Sequence, residues 1–199
     1  GVVNIINPLI PIDKPINNQN VEANFGYKTS GGELKTSLKF GKSINNFTVR
    51  GMGSFTSSGP YDLANTSSKQ ANSSKFNSSG GFGITYNDGR NYLGLSIDKL
   101  EAVYDIPGSE GEENLTSLNP TRNTINFKSS LTLDNNLFKK LNLEATVSEY
   151  SHAERTGSGN HNIEFSNDSY ELKTSLNHKS LINHNNEGLF GFHYQNSNQ

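Results

Sequence analysis

The chain has 199 residues, of which 31% are hydrophobic and 18% charged, with 19 Gly and neither Cys nor Trp; a packed soluble domain of this size ordinarily carries an apolar share on the order of 45%. Seventeen Lys+Arg against 19 Asp+Glu leave a formal charge of -2, which offers nucleic acid no basic stripe, and no stretch approaches the roughly 20 apolar residues of a membrane helix. Without cysteine there are no disulfides and no thiolate metal sites.

Read from the start, Gly1-Val2-Val3-Asn4-Ile5-Ile6 lacks the basic n-region of a signal peptide. Pro8, Pro11 and Pro15 then prevent regular pairing, so residues 1 to 19 read as a strand end followed by a linker. The first clear strand places Val21, Ala23, Phe25 and Tyr27 on one side and Glu22, Asn24 and Lys28 on the other. After Ser30-Gly31-Gly32 the pattern repeats, with Leu34, Thr36, Leu38 and Phe40 against Glu33, Lys35, Ser37 and Lys39. Successive strand residues face opposite sides, so each segment has one apolar and one polar face. The spacing predicts strands over 20–29, 32–42, 46–56, 80–87, 91–104, 122–134, 138–152, 162–178 and 187–195.

The later members keep the period: Phe82, Ile84 and Tyr86; Leu93, Leu95 and Ile97; Ile125, Phe127, Leu131 and Leu133; Leu141, Leu143, Ala145 and Val147; Tyr170, Leu172, Thr174 and Leu176; and Phe190, Phe192 and Tyr194. Aromatics gather toward strand ends, as girdles at two membrane interfaces require. Lys99 and Glu149 break the apolar parity only late in their strands. The connections are expected to alternate, short at 44–45, 87–90 and 135–137 and long at 57–79, 105–120 and 152–161, with 180–186 last. Short turns on one side and long loops on the other describe an outer-membrane barrel, whose polar lumen also accounts for the low apolar content. The expected fold is therefore all-β, an antiparallel meander of about nine strands forming an open segment of a large transmembrane β-barrel. On this pattern a charge at Leu143 meets lipid, whereas one at Asn142 should be nearly silent. No fixed period supports a solenoid, and a passive porin or a secreted β-rich adhesin stays open as an alternative.

Three stretches resemble TonB-dependent outer-membrane receptors. Gly1-Val2-Val3-Asn4-Ile5-Ile6 is similar to the segment closing the plug domain of that family. Tyr104-Asp105-Ile106-Pro107-Gly108, followed by Glu110, Glu112 and Glu113, resembles an acidic extracellular loop of its members. Tyr150-Ser151-His152-Ala153-Glu154, then Phe165 to Leu172 and His178, resembles a later strand pair in the zinc and haem receptor subgroup. The resemblance implies residues 1–18 as the end of a plug domain and linker, and 19–199 as the N-terminal part of the barrel. The chain is then a fragment, because the family's barrel has 22 strands and neither a full plug nor a terminal aromatic strand is present. Its implied partners are outer-membrane lipid, a TonB complex reached through a plug domain absent from this chain, and a metal or metal-chelate substrate such as a ferric siderophore, haem or zinc.

For chemistry, the sequence has no nucleophile elbow, no His-Glu-x-x-His and no phosphate-binding Gly loop, so no enzyme and no cofactor is expected. His152, Glu154 and His161 bracket one expected outer loop, and imidazole with carboxylate is a ligand set Zn²⁺ accepts; solvated loop histidines are the ordinary alternative. Tyr104, Asp105, Glu110, Glu112 and Glu113 are the expected substrate-facing loop residues, since clustered carboxylates focus field on a cation or a positively charged complex; an ordinary charged, water-exposed loop is the alternative. His178, His184 and His193 are expected near the periplasmic side.

Overall fold

The computed structural model describes residues 8–12, 18–108, 115–133, 135, 137–156, 162–179 and 188–198. The alternation resolves into nine strands: β1 Gln19–Lys28, β2 Glu33–Ile44, β3 Phe47–Ser58, β4 Lys75–Asn87, β5 Tyr92–Asp105, β6 Thr116–Thr132, β7 Phe138–Thr156, β8 Asn162–His178 and β9 Gly188–Asn198. They form one antiparallel sheet in sequence order, with β1 and β9 as its edges. Among the described residues, helical geometry is confined to a 3-10 turn, Ser30–Gly32, and to Asn18 before β1, and no helix is long and apolar enough to cross a membrane.

The strands outrun the side-chain pattern at the end where β1 finishes, called the upper end below. β4 begins at Lys75 rather than 80, β6 at Thr116 rather than 122, and β7 continues to Thr156 rather than stopping at 152. The added residues are mostly polar on both faces, so alternation does not mark them. What carries them is the ladder itself, which continues in register with Thr116 opposite Thr156 and Pro120 opposite His152. Lengthening β7, with β8 bounded as expected at Asn162–His178, also shortens the loop between them to 157–161, while 179–187 at the lower end is longer. The expected short-long alternation therefore fails at its last pair.

Register decides which side chains share a face. Val21, Phe40, Gly51, Phe82, Ile97, Ile125, Val147 and Tyr170 form one row across eight strands. The neighbouring row on the other face is Asn20, Gly41, Arg50, Gly83, Ser96, Asn126, Thr146 and Glu171. Side chains on the first face stand open, with Val21 and Phe25 each 75% exposed. Several on the second are buried although polar, among them Thr48, Thr85 and Ser96.

The apolar band does not follow the hydrogen-bonded rows. On β1 it covers Val21, Ala23, Phe25 and Tyr27; on β5 it covers Leu93, Leu95 and Ile97, with Lys99 and Glu101 above; on β9 it covers Phe190, Phe192 and Tyr194, with Asn196 and Asn198 above. The row of Tyr194 runs through Leu172, Ala145, Phe127, Leu95, Ile84, Val49 and Lys42 to Gln19. Gln19 lies eight residues before Tyr27 on β1, so the upper edge of the band lies eight residues lower on β9 than on β1, an average of one residue per strand; the drop is uneven, because Ile97, Ile125, Val147 and Tyr170, its upper members on β5 to β8, share one row. At about 3.3 Å per residue and about 4.8 Å between strands, the average inclination of the band to the rows from β1 to β9 is roughly 35°. Strands of closed barrels tilt by about 35–45°. Corrected for that tilt, four outward residues occupy about 22 Å along the axis, close to the roughly 25 Å apolar belt of an outer-membrane barrel. Ring pairs close the band at both ends of β3 and β4: Phe47 with Tyr86 at 5.2 Å below, and Phe55 with Phe76 at 5.4 Å above.

Cross-strand hydrogen bonds knit the polar face. Ser43 Oγ and Thr48 Oγ1 are 2.6 Å apart and Ser54 Oγ and Ser79 Oγ 2.8 Å. Ser130 donates to Asn142 Oδ1 at 2.6 Å, and Asn142 Nδ2 donates to Ser175 at 3.1 Å. Asn142 thus bridges three strands, and a charge there cannot be silent as the alternation alone suggests. Higher up, Lys128 pairs with Glu144 at 2.6 Å, and Glu171 takes Lys173 at 2.8 Å and His193 at 2.9 Å.

Candidate functional site on the polar face

The buried apolar side chains lie where the chain preceding β1 crosses the polar face. Leu9 and Ile10 are buried, and with Tyr92 they are the buried hydrophobic residues among those described. They rest on strands β4 and β5 rather than on β1. Tyr92 donates its hydroxyl hydrogen to the Ile10 carbonyl at 2.5 Å, and Asn87 Nδ2 donates to the Ile12 carbonyl at 2.9 Å. Beneath them the sheet is floored with glycine. A Cβ at Gly83 would overlap the Leu9 carbonyl, one at Gly81 would come within 2.7 Å of Leu9 Cδ1, and one at Gly94 within 3.1 Å of Ile10 Cβ. Glycine inside a strand marks the close approach of another backbone, so Gly81, Gly83 and Gly94 are the sequence signal for this contact. Read as a linker, residues 1 to 19 give no hint of it.

At the upper end of the same face, Glu33 gathers three lysines. Its carboxylate contacts Lys75, Lys35 at 3.1 Å and Lys28 at 3.3 Å, and its side chain is only 6% exposed. The lysines are far more open, so the cluster presents excess positive charge at the rim. Register explains the gathering: Glu33 faces Lys28 across the first turn, and Lys75 enters through β3, paired with Ser58.

The expected site residues are distributed unevenly. Tyr104 and Asp105 end β5, with Tyr104 opposite Lys75 and Asp105 opposite Ser117. Glu110, Glu112 and Glu113 lie outside the described residues. The loops around them are fastened together: Asn72 Nδ2 donates to the carbonyls of Ile106 and Thr116, each at 2.7 Å, and Gln70 Nε2 donates to that of Gly108 at 2.7 Å. His152 and Glu154 are not loop residues, since β7 carries both. Two residues apart on a strand, they share the polar face, where His152 Nε2 stands 3.9 Å from Glu154 Oε1. The imidazole stacks on Phe165 at 4.6 Å. His161 lies outside the described residues, and among those described no three His, Cys, Asp or Glu side chains converge on a metal position. His178 ends β8 at the lower side, His193 sits within β9, and His184 is outside the described residues.

Chemically, this face can hold peptide, neutralise anions at the rim and line a wet passage. Compared with family models and with curated protein sequences, the chain matches none.

Proposed function

We propose that this chain is part of the wall of an outer-membrane β-barrel, a TonB-dependent receptor that captures a scarce metal or metal chelate. The observation that carries the reading is the inclined apolar band. An open sheet packed in a soluble core has no reason to offset its apolar residues by eight positions from one edge to the other, whereas a level membrane belt on tilted strands requires an offset of that size. The polar face then lines the lumen, the loops at 59–74 and 106–115 point outward, and the turns at 45–46 and 88–91 reach the periplasm. A passive porin shares all of this. The segment lying across the polar face favours a barrel whose lumen is occupied by preceding chain, as a plug would occupy it. The rim lysines around Glu33 and the carboxylates after Asp105 supply charge of both signs for an incoming chelate.

The test is fractionation of a bacterial host making the full-length protein. The reading expects retention in outer membranes through a carbonate wash, release by detergent, and substrate uptake that stops when the proton gradient is collapsed. Recovery in the soluble fraction would overturn the membrane assignment, and uptake indifferent to uncoupler would leave the porin.

A further inference from the structure

We propose that Gly81, Gly83 and Gly94, together with Tyr92, form a docking track for the chain's own Pro8–Ile12 segment, fastening the chain N-terminal to β1 onto strands β4 and β5. The inference rests on the packing of one face and stands whether or not the sheet lies in a membrane.

Connectivity alone does not put the segment there. Ile12 is seven positions from Gln19, the first residue of β1, so the nearest polar wall is that of β1 and β2. That wall carries Glu22, Asn24, Lys35 and Lys39, with Asn24 bonded to Glu22 at 2.8 Å and Lys39 paired with Glu22 at 3.7 Å. Such a surface has no room for an apolar backbone and would lose its solvation beneath one. Three strands farther on, side chains are missing at three positions, and the segment sits on the bare backbone. Its own sequence suits the track. Pro8 and Pro11 have no N–H, so the segment is poorly able to add itself to a sheet edge and instead needs acceptors satisfied from the face below. Tyr92 and Asn87 supply those donors to Ile10 and Ile12. Leu9 and Ile10 present two consecutive branched side chains, 2% and 5% exposed, while Ile12 is 56% exposed. The occupant the track selects is a turn carrying two consecutive branched aliphatic residues flanked by proline.

The chain has no native cysteine, so single thiols can report docking in the full chain. Ile10→Cys should react with a hydrophilic maleimide at least tenfold more slowly than Ile12→Cys. Adding Gly83→Val should remove that difference, because the new side chain occupies the space of the Leu9 carbonyl. Gly26→Val should preserve it, since the nearest atom to a Cβ there is Lys35 Cβ at 3.8 Å. Should Gly83→Val disturb the sheet itself, Leu9→Asp gives the same test from the segment's side with every strand residue intact, and should also expose the thiol introduced at position 10. Equal labelling of positions 10 and 12 in the otherwise unaltered chain would overturn the proposal. So would protection that survives both Gly83→Val and Leu9→Asp, or protection lost equally with Gly26→Val.

Discussion

Arginine placed along two strands separates an inclined band from a level one. On β7 the outward residues are Leu141, Leu143, Ala145 and Val147, followed by Glu149. With strands tilted by about 35°, each two-residue step changes depth by roughly 5.4 Å. Leu143 and Ala145 then fall within about 3 Å of the midplane, and an arginine at either should cost about 2–4 kcal/mol. That is a roughly 30- to 1,000-fold change in the folding equilibrium, at about 1.4 kcal/mol per decade. At Val147 the cost should fall toward about 1 kcal/mol, as it does near an interface. Ser148→Arg, one residue on and on the polar face, is the control; Asn142 does not serve, because it holds Ser130 and Ser175. The discriminating positions are on β1. The hydrogen-bonded row of Ala145 ends at Gln19, so a band parallel to the rows puts the largest penalty there. An inclined band puts it at Ala23 or Phe25. Urea titrations of the full-length protein refolded into lipid vesicles, followed by circular dichroism, read the midpoint for each variant. A maximum at Gln19, or a flat profile on both strands, would refute the tilt and with it the principal support for a barrel.

Two further outcomes concern the ends of the sheet. In the turn after β4, the backbone N–H groups of Asn91 and Arg90 donate to Asp88 at 2.6 and 2.8 Å, and these bonds hold its carboxyl below the usual range. A depressed folded pKa stabilises the turn above the unfolded value of about 3.9 and loses that contribution as pH falls through the folded value; a carboxyl resonance titrating at about 3.9 or higher would contradict it. Asn72 sits at φ 51° and donates to the carbonyls of Ile106, in the loop, and Thr116, at the start of β6, so Asn72→Ala should loosen the upper loops by about 1–3 kcal/mol. Faster hydrogen exchange at the Ile106 amide would report this, whereas unchanged protection would mean the loops are held by other bonds.

How much of this was legible in the sequence depends on what fixed each feature. Strand existence and facing were legible, because Val21 through Tyr27 and Leu93 through Ile97 alternate without a break and sheet period is strictly two. The upper strand ends were not. Thr116–Asn119 and Ala153–Thr156 belong to the ladder because of the strand beside them, and a partner's register is not written in either segment alone. That is why His152 and Glu154 read as a loop and prove to be strand residues. The incline of the band was invisible for the same reason, since each strand shows its apolar run but not its offset from the next. The glycine track left a local trace, at Gly81, Gly83 and Gly94, that names no occupant.

The edges carry the last consequence. β1 and β9 have no strand on their outer sides among the described residues, and each unpaired backbone group in hydrocarbon costs several kcal/mol. A strand of ten residues such as β1 turns about half its groups outward. The total reaches tens of kcal/mol, beyond the roughly 5–15 kcal/mol that holds a folded protein together. In a membrane these edges must therefore be paired, and the strand count limits how. Nine strands in an up-and-down meander leave β1 and β9 running in the same direction, so joining them to each other makes a parallel seam. Bacterial barrels of a single chain have even strand numbers and antiparallel neighbours throughout. The receptor reading accordingly expects an odd number of further strands between β9 and β1. Cysteines introduced at Ala23 and Phe192 on the outward faces should then not cross-link within one full-length molecule under mild oxidation. Efficient intramolecular cross-linking of residues on β1 and β9 would mean that nine strands close on themselves, and the reading of this chain as part of a larger wall would fail.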